Sequence, residues 1–194
     1  VSPMIVSETA DSTEYPALEA EADIPVITSE GKSNVKIAGV KSKNKLVRYT
    51  IPEMLLRADE NFLALMVEAE KYIGYPYVYG GSKPSTGFDC SGFVCWVFRQ
   101  SGVYDTGRLG AKGLYSLCTD VSRDEARPGD LVFFTKTMGA DVKGITHVGI
   151  YVGNDMMLHA GDPVGFADLQ SDKWAKKIYA FGRLPVQQGA QPDE

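Results

Sequence analysis

Histidine and cysteine are scarce in this sequence, and positive charge is not in excess. The 194 residues include two histidines and three cysteines. Lysine and arginine number 20 against 25 acidic residues, a net charge of −5 that implies no basic surface for nucleic acid. No apolar run approaches the roughly 20 residues that cross a bilayer, so we expect no transmembrane segment in this chain. The opening Val1-Ser2-Pro3 leads into no apolar signal core, as expected of a trimmed mature form or an excised fragment.

The three cysteines form neither a CxxC pair nor an even disulfide set. Free cysteine is among the residue types that are most often buried. We therefore predict that Cys95 and Cys118 are buried thiols, and Cys90 is the one that calls for a chemical explanation.

The first 58 residues are predicted to be an N-terminal extension whose function the sequence does not indicate. Residues 1–31 carry seven acidic side chains and no basic one, which favours an extended or disordered arm. Residues 32–51 are basic and contain two segments in which apolar and polar residues alternate, which predicts a β-hairpin. Charge runs are usually solvated surface. A sharper alternative is that the acidic arm lies against the basic hairpin, or that the basic face meets an anionic wall polymer.

Residues 59–186 are predicted to be one catalytic domain of the α+β class, followed by a tail over 187–194. A capping-box pattern at 50–53 predicts a helix start there. Helices precede a run of antiparallel strands, an order typical of α+β folds. The predicted helices are 61–72, one beginning at Cys90, and 111–117, and the predicted strands are 131–134, 146–152, 156–160 and 176–183.

Cys90 is predicted to lie in the first turn of a helix. Asp89 is a good N-cap, and apolar residues recur after it at helical spacing. Free backbone N–H groups and the positive end of the helix dipole favour a thiolate at that position.

Both histidines fall on one predicted hairpin that turns at Gly153-Asn154-Asp155. Across such a pair the rings of His147 and His159 can be neighbours. Cys90 would then attack an acyl carbon, His147 would take the thiol proton, and His159 would orient His147. The Cys90 backbone N–H and the Tyr77 hydroxyl are candidate donors to the oxyanion.

Two other interpretations compete for these residues. One cysteine and two histidines are potential zinc ligands, but their spacing matches no common zinc motif. The second alternative is two histidines satisfied by ordinary structural contacts. We expect neither a metal nor another cofactor.

Four motifs occur in order along the chain. They are Pro76-Tyr77-Val78-Tyr79-Gly80-Gly81, Phe88-Asp89-Cys90-Ser91-Gly92-Phe93-Val94, Arg127-Pro128-Gly129-Asp130-Leu131-Val132-Phe133-Phe134, and Thr146-His147-Val148-Gly149-Ile150-Tyr151-Val152-Gly153 with Leu158-His159-Ala160. Each is weak alone, but four at sensible spacing are specific. Over residues 60–184 the chain resembles the NlpC-type bacterial cell-wall cysteine peptidases, the family that includes the listerial p-sixty protein.

This resemblance implies a papain-like fold with the nucleophile's helix packed on an antiparallel sheet. It implies that Cys90 is the nucleophile, His147 the base and His159 the third polar residue, with Tyr77 facing the nucleophile. Asp89 and Ser91 match positions that hold the substrate's peptide in relatives. Two further residues of the same motifs are predicted to bind substrate: Tyr79 and Thr146.

The resemblance also implies the substrate, which is the peptidoglycan stem peptide, commonly cut between D-γ-glutamyl and the diamino acid. It implies a secreted or wall-associated protein, and we expect a monomer. The alternatives are a papain-like amidase or acyltransferase with another substrate, and a wall-binding module without turnover. We further hypothesise that residues 1–58 pack beside the cleft and restrict which stem peptides enter.

Overall fold

The computed structural model describes residues 23–188. Most of the predicted acidic arm and most of the predicted tail lie outside these residues. Within residues 23–188 there is no helix with the length and apolar character that crossing a bilayer requires.

Residues 23–188 contain five α-helices, four of them before the strands of the main sheet and one between its last two strands along the chain. They are α1 (Glu53–Arg57), α2 (Glu60–Glu70), α3 (Cys90–Gln100), α4 (Ala111–Leu117) and α5 (Asp172–Ala175). The predicted helix at 61–72 is α2, which begins one residue earlier because the Asp59 carboxylate caps it, accepting from the backbone N–H groups of Asn61 and Phe62. A helix starts where the pattern at 50–53 predicts it, at Glu53, but the capping box itself does not form, since Pro52 is the N-cap of α1 and no side chain caps it.

A six-stranded antiparallel sheet carries the second half. The strands are β1 (Ser82–Lys83), β2 (Gly87–Phe88), β3 (Thr119–Val121), β4 (Leu131–Thr135), β5 (Ile145–Gly153), β6 (Met156–Ala160), β7 (Val164–Asp168) and β8 (Ile178–Arg183). The order of the strands in the six-stranded sheet is β3-β8-β4-β5-β6-β7, and a separate two-stranded ladder, β1-β2, precedes α3. Strands β1, β2 and β3 are not predicted from the sequence, because segments of two or three residues are too short to show a period. Strand β7 is not predicted either, although the turn residues Gly161-Asp162-Pro163 precede it.

Helix α3 packs on the face of the sheet that bears Val148 and Ile150, and Phe93 of α3 lies fully buried in the same apolar cluster. A smaller cluster on the opposite face includes Phe134 and Trp174. Successive residues of a strand point to opposite faces, so β5 contributes to both clusters. The expected α+β arrangement, with the helix of Cys90 packed on an antiparallel sheet, is confirmed.

The β-hairpin predicted over 32–51 does not form. Residues 37 and 40 make only an isolated bridge around a tight turn, in which Ala38 and Gly39 have positive φ. The second predicted strand pairs instead with residues 27–29: the Ser29 backbone N–H donates to Tyr49 O and the Ile51 N–H to Ile27 O, both at 3.0 Å. Alternation in the sequence identified extended segments here but assigned the wrong partner.

The N-terminal segment from residue 23 onward shares the core of the sheet domain. Ile27, Ile51 and Leu56 are buried in the same cluster as the residues of α3. Asn34 donates from its side chain to the carbonyl oxygens of Ser42 and Asn44, at 2.8 and 3.0 Å, and so fixes the path of the segment. The boundary placed at residue 58 stays a prediction, and the segment before it packs as part of the domain.

A pair of neighbouring residues tests this packing. Ile27 is 0% exposed and Val26 is 67% exposed. We expect Ile27→Ala to lower the free energy of unfolding by about 2–4 kcal/mol, because it leaves a cavity in the shared core. Val26→Ala should stay within about 0.5 kcal/mol of the wild type. Urea unfolding of both variants checks this, and equal stabilities would contradict the shared core.

Candidate active site

Cys90 is the first residue of α3, and its position is fixed by an N-cap. As predicted, the Asp89 carboxylate accepts a hydrogen bond from the Gly92 backbone N–H, at 2.7 Å. The loop before the helix passes so close that a Cβ at Gly92 would lie 2.1 Å from the carbonyl oxygen of Gly81. A glycine is therefore required at position 92 for the loop and the helix to meet.

Cys90 is nearly inaccessible, at 7% exposure. Burial raises the pKa of its thiol to about 11, although the nearby backbone N–H groups of Val148 and Ser91 act in the opposite direction and favour the thiolate. The helix start therefore acts in the predicted direction, but desolvation outweighs it. The free protein holds Cys90 as a thiol, which needs a base to become a nucleophile.

The two histidines meet as the sequence predicted. Nε2 of His147 lies 2.8 Å from Nδ1 of His159, and both side chains are buried. The turn between their strands has positive φ at Asn154 and Asp155, which is the type I′ geometry that matches strand twist. Gly149 faces β6, where a Cβ would stand 3.0 Å from the Cβ of His159 and 2.7 Å from the sulfur of Met157. The absent side chain thus leaves the room that the second imidazole occupies.

Aromatic rings surround the histidine pair. Trp174 stacks on His147 at 5.2 Å between centroids and meets His159 edge-on at 5.0 Å. Phe134 lies 5.6 Å from His147. Burial, followed by the charge of Lys173, lowers the pKa of His147 to about 3. Burial likewise places the pKa of His159 well below its ordinary value, so both rings are neutral.

The Cys90 thiol and the His147 imidazole, the candidate base, are not hydrogen-bonded to each other. Cys90 meets β5 at the backbone N–H of Val148, the residue that follows His147. No hydrogen bond joins the Cys90 sulfur to an imidazole among the contacts of residues 23–188. Because Nε2 of His147 is taken up by His159, Nδ1 is the nitrogen left for the thiol proton. Catalytic hydrogen bonds are often long before substrate binds, so this geometry is compatible with a Cys–His pair.

Tyr77 lies near Cys90 and lines an open cleft. The nearby backbone N–H of Cys90 favours the ionised form of its hydroxyl. Burial, followed by the charge that a Cys90 thiolate would carry and by the charge of Asp89, outweighs this effect and raises the pKa of Tyr77 to about 12. The phenol therefore stays protonated and keeps a hydrogen to donate.

The cleft has a volume of about 790 Å³ and reaches both imidazoles. Tyr79 lines it and is 81% exposed. Thr146 also lines it, but its hydroxyl contacts Thr137, accepting from the backbone N–H at 3.0 Å and lying 2.6 Å from the hydroxyl. Thr146 thus holds the β4–β5 loop at the rim of the cleft. Cys90 is not among the residues that line this space.

Asp89 and Ser91 are joined by a residue that the sequence analysis missed. The Arg108 guanidinium donates from Nη2 to both Asp89 oxygens, at 3.1 Å, and from Nη1 to the Ser91 hydroxyl, at 2.9 Å. The Asp89 carboxylate also accepts from the backbone N–H of Gly80 at 3.0 Å. Its acceptors are therefore largely occupied by the protein itself.

Trp174 is the other residue that sequence reasoning missed. It follows Ser171-Asp172, a usable helix start, but a helix of four residues has no periodicity to detect. Of the other cysteines, Cys95 is buried as predicted, whereas Cys118 is partly exposed, so its predicted burial is only partial.

Comparison with known proteins gives consistent results. A sequence profile of the NlpC/P60 family matches residues 74–183. The bifunctional muramidase/DL-endopeptidase CwlT of Bacillus subtilis is 46% identical over 121 residues, which are 62% of this chain and 36% of CwlT. The gamma-DL-glutamyl hydrolase of the same organism is 41% identical over 120 residues, 60% of this chain and 28% of the hydrolase. The chain thus spans about a third of each relative.

A solved structure extends the likeness to the fold. A lipoprotein-like NLP/P60 family protein from Staphylococcus aureus superposes with a TM-score of 0.61 at 41% sequence identity, covering 65% of this chain and 42% of that one. The α+β fold is therefore the papain-like one of NlpC/P60 domains, as the sequence predicted.

The neutral histidine pair predicts a loss of stability in mild acid. Both pKa values are lower in the folded protein than in the unfolded chain, so stability is complete above about pH 6.5 and is lost as the pH falls below it. By pH 5 we expect a loss of up to about 2 kcal/mol for each histidine. Urea unfolding between pH 7.5 and 5 measures it, with His159→Asn as the control that removes one contribution. A flat profile would contradict neutral burial.

Proposed function

This chain belongs to the NlpC/P60 family, and we propose that it is a cysteine endopeptidase that hydrolyses an amide bond in peptidoglycan stem peptides. The observation that carries the proposal is the pairing of one helix-capped thiol, Cys90, with a hydrogen-bonded pair of neutral imidazoles. A neutral His147 is a base ready to accept the thiol proton. The relatives' names, a DL-endopeptidase and a gamma-DL-glutamyl hydrolase, support D-γ-glutamyl-diamino acid as the bond that is cut.

In the proposed first step the Cys90 sulfur attacks the acyl carbon, and its proton passes to Nδ1 of His147. His147 then carries a positive charge, and its Nε2–H donates a hydrogen bond to Nδ1 of His159. This contact fixes the tautomer and the orientation of the base. A neutral imidazole stabilises the imidazolium less than a carboxylate would, but a thiol requires less help than a serine hydroxyl.

The backbone N–H of Cys90 and the Tyr77 hydroxyl are proposed to hold the oxyanion. The Cys90 N–H and the Tyr77 hydroxyl are close enough to interact in the free protein, and an incoming carbonyl oxygen is proposed to accept from both donors. The C–N bond then breaks, and His147 returns its proton to the departing amine. Water, deprotonated by His147, hydrolyses the thioester and releases the acid and the Cys90 thiol.

Stem peptides lie outside the cytoplasmic membrane, so we propose an extracytoplasmic site of action. Asp89, held by Arg108, is proposed to shape the acyl side of the site, and Tyr79 to contact the peptide from the exposed rim. Thr146 is proposed to act through the β4–β5 loop that it holds.

Digestion of purified muropeptides tests the proposed function. The wild-type protein and Cys118→Ala should release new fragments whose masses identify the cut between D-glutamate and the diamino acid. Cys90→Ala should release none, because its site lacks the nucleophile. Fragments from Cys90→Ala would show that the nucleophile is another residue, and fragments from no protein would overturn the peptidase assignment.

His159 is expected to affect turnover more than substrate binding. We expect His159→Ala to lower kcat by about 10- to 100-fold with KM nearly unchanged, since the base loses its orienting partner. His159→Asn, whose amide oxygen can accept from Nε2 of His147, should recover part of this loss. Equal kcat in wild type and His159→Ala would exclude an orienting role.

A further inference from the structure

Three lysines line the cleft: Lys45 from the N-terminal segment, Lys173 from α5, and Lys177 just before β8. None of them has a carboxylate within ion-pair distance among the residues that the structure describes. In a chain of net charge −5, a cleft with three unpaired cations is an exception. Unpaired charges of one sign in a concave site attract ligands of the opposite sign.

Two acidic residues of the cleft, Asp162 and Asp168, offset part of this charge, but neither forms an ion pair with a lysine. Asp162 accepts from the Ser42 hydroxyl and, at 3.5 Å, from the backbone N–H of Tyr77. Asp168 accepts from the backbone N–H of Gln170 at 2.8 Å. Three lysines against two aspartates leave the cleft with a formal net charge of +1, and its ammonium groups are free of direct carboxylate contacts.

The position of Lys173 tells which part of a substrate it would meet. Its Nζ lies 5.2 Å from the centre of the Trp174 ring, and Trp174 stacks on His147. Tyr77, His147 and Lys173 line the same cleft. In the proposed reaction the acyl carbon goes to Cys90, and the amine that departs takes its proton from His147. The amino component of the scissile bond therefore lies beside His147, in the cleft that Trp174 and Lys173 also line.

We infer that Lys173 and Lys177, with Lys45 at the rim, form a subsite that selects an amino component bearing its own carboxylate. The inference rests on the proposed function and makes it more specific. Among diamino acids, diaminopimelate carries a carboxylate beside its distal amine, whereas lysine carries only the ammonium group. The three cations attract the first and repel the second, and they give no advantage to diaminopimelate whose carboxylate is amidated.

The expected selectivity is moderate because the lysine side chains are largely solvated. An exposed ion pair contributes little by itself, so two or three together should favour the carboxylate by about fivefold to tenfold in kcat/KM. The preference should shrink with added salt, since exposed charges are screened.

The test compares three peptides that differ only in the distal group of the diamino acid. They are D-γ-glutamyl peptides of diaminopimelate, of its carboxamide, and of lysine. We expect the wild type to cleave the diaminopimelate peptide fastest. For the double variant Lys173→Met, Lys177→Met, the kcat/KM values for the three peptides should lie within about twofold of one another. Lys176→Met is the matched control, because Lys176 is exposed in the same segment but does not line the cleft, and it should keep the wild-type preference.

Equal rates for the three peptides in the wild type would overturn the subsite, and so would an unchanged preference in the double variant. Calorimetric binding of the same peptides to Cys90→Ala separates this inference from the proposed function. If no peptide is cleaved but the carboxylate peptide binds more tightly, and only with Lys173 and Lys177 present, the subsite stands and the peptidase assignment fails. If all three peptides are cleaved but bind equally, the peptidase assignment stands and the subsite fails.

Discussion

Two imidazole rings hydrogen-bond to each other inside this protein, and the surrounding fold supplies what that contact needs. A bond between Nε2 of His147 and Nδ1 of His159 requires one ring to donate and the other to accept. Two charged rings would repel each other, and burial disfavours the charged form of each in the free protein. The hairpin turn sets the register, the missing side chain of Gly149 leaves space, and Trp174 covers both rings.

The same burial creates a conflict for the chemistry that the site is proposed to perform. It raises the pKa of the Cys90 thiol and lowers that of His147, so each group is held in its neutral form. A neutral thiol beside a neutral base is stable but unreactive until the proton moves. Charge must then be stabilised on both partners at once, by backbone N–H groups at the sulfur and by His159 at the base. A substrate that adds an oxyanion near Cys90 completes this set of charges, which agrees with proton transfer during attack rather than before it.

Local signals in the sequence predicted the parts of the site that depend on neighbouring residues. Asp89 caps α3 through a residue three positions away, and the hairpin brings His147 and His159 together through one turn. Trp174 and Arg108 were missed because their contacts depend on packing between distant elements. The second strand of the β-hairpin predicted over 32–51 was assigned to the wrong partner for a related reason. Alternating residues show that a segment is extended, but they do not say which segment it pairs with.

The N-terminal segment illustrates how such distant contacts join the core to the cleft. Ser42 and Asn44 hydrogen-bond to Asp162, which follows β6 and also contacts the backbone of Tyr77. The next residues, 44–47, form one wall of the cleft. Deleting the segment would therefore also remove Ile27 and Ile51 from the core, and any change in selectivity would be confounded with loss of folding. A role for this wall in choosing substrates is better separated from folding by changing exposed side chains in place, because exposed positions such as Lys45 leave the buried contacts intact.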